Sequence, residues 1–275
     1  MYNDRMIETP IRVAVVGAAG RMGQEVLKAL NQNEGFDIVL AVDKDADGKN
    51  CRDLVGPKGP DVVIESKLGA ALERVETDVL VDFTHHSAAT QHAISAFKRK
   101  VSPVIGTTGM GDNELRELAL VSQENGTPGI YAPNFAIGAV LMMRFAQMAA
   151  KWMPDAEIIE MHHDKKEDAP SGTAMLTADL IAEGRTEPAS PARAINLRVE
   201  GARGGRWHDT QVHSVRLQGL VAHQQVMFGG PGESLTIRHD SIDRTSFMAG
   251  VKLCARKVRS LNGLVVGMDK ILFLD

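Results

Sequence analysis

The chain predicts an α/β protein, with a doubly wound parallel-sheet domain interrupted by an inserted α+β domain that carries an open mixed sheet. Three observations point there. Short β-branched runs alternate with helical patterns up to residue 132, turn-punctuated alternating segments then take over, and a helical pattern returns after Asp243. Strand–helix alternation implies parallel strands joined by right-handed crossovers, whereas alternating polarity between turns implies antiparallel strands with one covered face. The expected boundaries are 1–133 with 243–275 for the first domain and 134–242 for the second.

In order, the expected strands of the first domain are 11–16, 36–43, 78–84, 102–105 and 129–132, and its helices are 21–31, 87–100 and 112–125. After Asn134 comes an apolar helix, 136–152, then a strand, 156–161, a polar run, and a helix from about Gly172 to Arg185. A stretch rich in Pro, Gly and Arg, 186–206, precedes three alternating segments, 211–217, 221–228 and 233–240. In the last, Leu235, Ile237 and His239 share one face while Thr236, Arg238 and Asp240 share the other, as in a half-covered sheet. The final helix, 244–260, and the short apolar tail are expected to return to the first domain.

A length of 275 residues accommodates two domains with a sizeable core, and 44% hydrophobic with 24% charged residues is an ordinary globular composition. A net charge of -4 and a pI near 6.1 argue against a general nucleic-acid binder. The two cysteines, Cys51 and Cys254, fit no metal-ligand spacing and no disulfide framework, so no metal is expected and a reducing compartment is. A polar start, 1–10, without an apolar signal core, and the lack of any spanning apolar stretch, give the expectation of a cytoplasmic protein with no membrane partner.

Gly17, Ala18, Ala19, Gly20, Arg21, Met22 and Gly23 follow the first strand and open the first helix. Such a turn needs glycine's positive φ, and bare backbone lets a pyrophosphate lie against helix N-terminal amides, which makes this domain Rossmann-like. Asp43, twenty residues after Gly23 at the end of the second strand, can accept hydrogen bonds from a ribose 2′-hydroxyl. Its charge favours NADH and repels a 2′-phosphate, while Lys44 and Arg21 would attract one, so use of both NADH and NADPH is expected. Gly106, Thr107 and Thr108, and Ala132, Pro133, Asn134 and Phe135, sit at further strand ends, where ligands of open α/β sheets bind. Pro133, lacking an N–H, could offer only its carbonyl.

The run from Glu160 to Ala174 concentrates two imidazoles, two ammonium groups and a Ser-Gly-Thr turn. Cations and helix-start amides suit an anionic substrate, and an imidazole can deliver a proton near neutrality. Adjacent His162 and His163 would point to opposite faces of an extended strand and serve different tasks. The same parity, if the extended conformation persists, groups His162 with Lys166 and separates Lys165. Ser171, Gly172 and Thr173 would form an anion cradle at a helix start, and Asp168 would pin the loop.

These motifs, together with Val81-Asp-Phe-Thr84, His213-Ser-Val-Arg216, Gly219 to Gly230 and Leu235 to Ser241, resemble the dihydrodipicolinate (4-hydroxy-tetrahydrodipicolinate) reductase family along nearly the whole chain. The resemblance implies a nicotinamide-dependent reductase of a cyclic imine dicarboxylate in lysine and diaminopimelate synthesis, assembled as a homotetramer through the second domain's sheet. It makes His162 the proton donor, Lys166 its cationic partner, and His163, Ser171, Gly172 and Thr173 substrate contacts. Gly17 to Met22, Asp43, Lys44, Phe83, Gly106 to Thr108 and Ala132 to Phe135 would line the cofactor. Lys165 beside Lys166, and the negative charge of Glu167, depart from the pattern. An acyl-capturing dehydrogenase would need a thiolate in a strand-end turn, where neither cysteine lies. A non-catalytic nicotinamide sensor would not need His162 and Lys166.

Overall fold

Ile11–Val16, a β-branched run, forms the first strand, β1, and its last four residues are buried. The computed structural model describes residues 9–190 and 196–273, and the chain divides into two units, Met1–Phe135 with Phe247–Asp275, and Ala136–Ser246. After β1 the first unit continues with α1 (Arg21–Asn31), β2 (Phe36–Val42), α2 (Cys51–Val55), β3 (Ile64–Glu65), α3 (Leu68–Arg74), β4 (Val79–Asp82), α4 (His86–Lys98), β5 (Ser102–Ile105), α5 (Asp112–Asn125) and β6 (Gly129–Tyr131). The second unit holds α6 (Ile137–Ala150), β7 (Asp155–His162), α7 (Gly172–Gly184), β8 (Gly205–Trp207), β9 (Thr210–Arg216), β10 (Ala222–Gly230) and β11 (Glu233–Ser241). The chain then returns to the first unit with α8 (Met248–Lys257), β12 (Leu264–Val266) and α9 (Asp269–Leu272).

In the first unit the order β12-β6-β5-β4-β1-β2-β3 makes a seven-stranded, wholly parallel sheet. The chain runs outward from β1 through β2 to β3, then restarts on the other side at β4, so the strand order reverses between β1 and β4. A crevice outside the carboxyl ends of strands at such a reversal is where ligands of this architecture bind. Helix α1 buries Gly23, Val26, Leu27 and Leu30, a one-sided helical spacing. One apolar cluster joins Val16, Leu40, Leu72 and Leu80; another joins Phe97, Ile105, Leu118 and Tyr131.

The second unit is a five-stranded mixed sheet, β11-β10-β7-β9-β8, in which β7 and β9 run parallel and the other neighbours antiparallel. Along β7 the residues Ala156, Ile158 and Glu160 are buried and their neighbours half-buried, the period-two signature of a sheet covered on one side. Helices α6 and α7 pack against each other and against this sheet.

Several boundaries differ from the sequence expectation. Strand β7 runs one residue further than expected, through His162, because its ladder to β9 and β10 continues there. The segment between β2 and β4 contains α2, β3 and α3; α2 is started by an Asn50–Asp53 capping box. The expected helix 244–260 is an α-helix only over Met248–Lys257, with 3₁₀ turns at Arg244–Phe247 and Val258–Ser260. In the stretch 186–206, residues 191–195 lie outside the described residues, and Gly205–Trp207 begins a hairpin with β9. Among the described residues no helix is long and apolar enough to cross a membrane, and no group of three or more His, Cys, Asp or Glu could hold a metal ion.

Candidate active site

The glycine loop sits at the carboxyl end of β1. Gly17 has φ of 77°, and a Cβ there would meet Thr84 Cγ2 at 3.0 Å, so only glycine suits both the turn and its neighbour. Gly20 precedes α1 with no side-chain cap, and the first turn of α1 carries no acidic residue. Those first amides are left for a ligand anion, the situation a pyrophosphate satisfies. The carboxylate of Asp43, just past β2, accepts from the Ala19 N–H at 2.9 Å and the Asp45 N–H at 3.0 Å. It therefore anchors the glycine loop while remaining half-buried; Lys44 and Arg21 are exposed.

Neighbouring strand ends supply the rest. After β4, buried Asp82 accepts from the Thr84 N–H at 2.7 Å and the Thr84 hydroxyl at 2.6 Å, and lies 2.7 Å from His92 Nδ1. That fixes the turn presenting Phe83, whose ring lies 5.7 Å from that of Phe135. At Gly106 a Cβ would come within 2.1 Å of the Phe83 ring, so any larger residue there would push that ring aside. Thr107, buried, donates to the Thr84 carbonyl at 2.8 Å, whereas Thr108 is exposed. After β6, Ala132 and Phe135 are buried, Asn134 is half-buried and Pro133 is exposed. A nicotinamide dinucleotide fits this set: bare backbone at Gly17 and Gly20, uncapped helix amides, a carboxylate one strand over, and an aromatic pair beside Gly106.

The second unit carries the polar run. His162 ends β7, and Glu160, two residues earlier on the same face, is fully buried with its Oε2 2.5 Å from His162 Nδ1. Glu160 also accepts two hydrogen bonds from Arg216, Nη1 to Oε2 at 2.9 Å and Nη2 to Oε1 at 2.8 Å, and one from the Ser171 N–H at 3.2 Å. Burial pushes the Glu160 carboxyl up, but the hydrogen bonds from His162, Arg216 and Ser214 outweigh it and hold it at about 2. Arg216 Nη2 further donates to the Asp168 carbonyl at 2.5 Å, and Lys166 Nζ donates to Asp168 Oδ1 at 2.6 Å. That contact with Lys166 holds the Asp168 carboxyl below its ordinary range. A continuous chain of polar contacts thus joins His162, Glu160, Arg216, Asp168 and Lys166.

Strand parity ends at His162: Lys166 N–H turns back onto the His163 carbonyl at 3.2 Å, so the extended conformation does not reach the lysines. His163, Lys165 and Glu167 are exposed and Lys166 is half-buried. Ser171 is buried at 3%, its hydroxyl capping α7 through the Ala174 N–H at 3.2 Å and its own N–H engaged by Glu160. Gly172 is exposed with open space at its Cβ position, and Thr173 is half-buried behind it in the first turn of α7. Two residues with central contacts were not singled out from sequence, Glu160 and Arg216. The available signal was Glu160's position on the covered face of an alternating strand, where a charge needs a partner.

A dinucleotide-type glycine turn on a wholly parallel doubly wound sheet, followed by a mixed-sheet unit bearing an imidazole–ammonium loop, defines a two-domain nicotinamide oxidoreductase. Family models described as dihydrodipicolinate reductase, N-terminus and C-terminus, match residues 11–135 and 138–272. The chain belongs to the dihydrodipicolinate reductase family. Proteins named 4-hydroxy-tetrahydrodipicolinate reductase from Lysinibacillus sphaericus (strain C3-41) and Syntrophomonas wolfei subsp. wolfei are 47% and 48% identical to it over 263 residues, covering 95% of this chain and 99% and 98% of theirs. A solved structure of dihydrodipicolinate reductase from Paenisporosarcina sp. TG-14, with dipicolinate bound, aligns with a TM-score of 0.84 and 42% identity over 97% of this chain and 100% of that one.

Proposed function

We propose that this chain reduces 4-hydroxy-tetrahydrodipicolinate to tetrahydrodipicolinate, with loss of water, within lysine and diaminopimelate biosynthesis. The observation that carries the reading is the loop itself: in a chain so similar to reductases of that name, His162, Lys166, Gly172 and Thr173 are presented on one strand-to-helix connection. When bound, the reduced nicotinamide supplies hydride to ring C4 of the dehydrated substrate. Gly17 to Met22, Asp43, Lys44, Phe83, Gly106 to Thr108 and Ala132 to Phe135 hold the dinucleotide. His162 gives the proton to the neighbouring ring carbon. Lys166 provides positive charge against the dianion, and His163 with Gly172 and Thr173 holds a carboxylate. The Ser171 amide and hydroxyl are engaged internally, so Ser171 serves the carboxylate site by fixing the start of α7. The assembly is a homotetramer built through the five-stranded sheet, working in the cytoplasm.

The test is turnover of enzymatically generated substrate, followed by nicotinamide absorbance. His162→Gln is expected to lower kcat on the order of 100-fold with little change in cofactor affinity. Lys166→Ala should damage both kcat and substrate binding. A more severe loss in His163→Gln than in His162→Gln would overturn the assignment of the donor, and absence of oxidation with both NADH and NADPH would overturn the reaction.

A further inference from the structure

Glu160 has no place in the proposed chemistry as a group that touches substrate, yet more polar contacts converge on it than on any other carboxylate described above. It is fully buried, and its two oxygens receive the His162 ring, both terminal nitrogens of Arg216 and the Ser171 amide. An ionised carboxylate can only accept hydrogen bonds, so the imidazole nitrogen facing it must be the one that bears hydrogen. Whatever the charge on the ring, Nδ1 carries a proton toward Glu160, and Nε2 is left as the nitrogen that exchanges one.

We propose that Glu160, clamped by Arg216, is a positioning residue that fixes the His162 ring and its tautomer so that Nε2 is the proton-delivering atom. This rests on His162 being the donor. The clamp is built for rigidity. Arg216 leaves β9 directly opposite His162 in the β7–β9 register, and its guanidinium spans both Glu160 oxygens and the Asp168 carbonyl. A planar fork does this and a point-like ammonium does not. The carboxylate also binds the Ser171 amide at the start of α7, so the imidazole and the start of that helix are referenced to one buried group. Oriented histidines elsewhere rely on the same logic: a buried carboxylate at one ring nitrogen selects the reactive tautomer at the other.

The test combines kinetics with ¹⁵N-histidine spectra of the whole enzyme, recorded above the imidazolium titration, with the His162 signals assigned by their loss in His162→Gln. The wild-type His162 ring should show the Nδ1–H tautomer. In Glu160→Gln, whose amide offers a single acceptor oxygen and a competing donor, that signature should shift toward a tautomer mixture. There kcat should fall on the order of 100-fold while KM for NADH stays within about threefold. Arg216→Lys, which keeps the charge and loses the fork, should give the same pattern with a smaller loss, and it carries the test if Glu160→Gln does not fold. If His162→Gln is crippled but both variants keep wild-type kcat and the Nδ1–H signature, the positioning role is refuted and the reaction assignment stands. If His162→Gln itself turns over normally, the donor assignment fails and the positioning role fails with it.

Discussion

Gly23→Ala sets two physical effects against each other at a single atom. Gly23 is the third residue of α1 and is buried, and in a helix interior alanine is more favourable than glycine by about 1 kcal/mol. A Cβ at this position, however, would lie 2.0 Å from the Gly17 carbonyl oxygen, 2.8 Å from its carbon and 2.9 Å from Ala18 Cα. All three are backbone atoms, so no side chain can swing away. Ordinary contact begins at 3.4 Å, so the helix and the loop must part by about 1.4 Å (3.4 minus 2.0). Overpacking of this kind costs about 1–3 kcal/mol, more than the propensity gained. The variant should melt lower, by roughly 2–4 °C per kcal/mol of net loss in a chain of this order of size. The parting also displaces the turn proposed to meet the pyrophosphate, so NADH affinity by titration calorimetry should fall at least about tenfold, or 1.4 kcal/mol. Affinity for pyridine-2,6-dicarboxylate, whose proposed contacts all lie in the other unit, should not change. A raised melting temperature with unchanged NADH affinity would show that propensity wins and that the close approach is not a constraint.

Asp43→Ala should raise the NADPH-to-NADH ratio of kcat/KM by roughly tenfold, since on the proposed cofactor placement it removes the charge that repels a 2′-phosphate; an unchanged ratio would place the ribose elsewhere. Glu160 has its folded-state value depressed from 4.5 to about 2, so its contribution is fully present above pH 4.5 and is lost as pH falls through 2. That contribution is on the order of 3 kcal/mol. Denaturant midpoints between pH 5 and pH 2.5 should therefore fall more steeply in wild type than in Glu160→Gln, and parallel curves would contradict the network. Finally, the kcat losses of Glu160→Gln and Arg216→Lys should not multiply in the double variant, because each disables the same contact; multiplying losses would mean the two act independently.

Local chemistry made the first unit largely readable. A β-branched run feeding Gly17-x-x-Gly20-x-x-Gly23, an acidic residue after the next strand, and repeated strand–helix alternation are short-range features, and the glycine loop directly follows β1 as Asp43 directly follows β2. What escaped was either too short or too distant. Strand β3 is two residues long and α2 five, below the length at which periodicity carries information, and β12 shows its purpose only by pairing with β6. The hub of the second unit was hidden differently. Arg216 meets Glu160 across 56 residues because β7 and β9 pair in parallel with His162 opposite Arg216, and no local pattern reports that register.

That register also explains why the polar run can be both exposed and ordered. Lys165, Glu167 and Asp168 lie in solvent, where surface ion pairs contribute about 0–1 kcal/mol and do little to hold a loop. Order comes from beneath: the Arg216 guanidinium ties the Asp168 backbone to a buried carboxylate, and the same carboxylate ties the Ser171 amide at the loop's far end. Both ends of the stretch from His162 to Ser171 are thus fixed to one group. Removing Arg216 would take from the fully buried Glu160 its main compensating charge, a penalty of about 3–5 kcal/mol. A loop held this way keeps the half-buried His162 imidazole and Lys166 ammonium close to a fixed geometry, which is what the proposed grip on a dianion and exchange of a proton require.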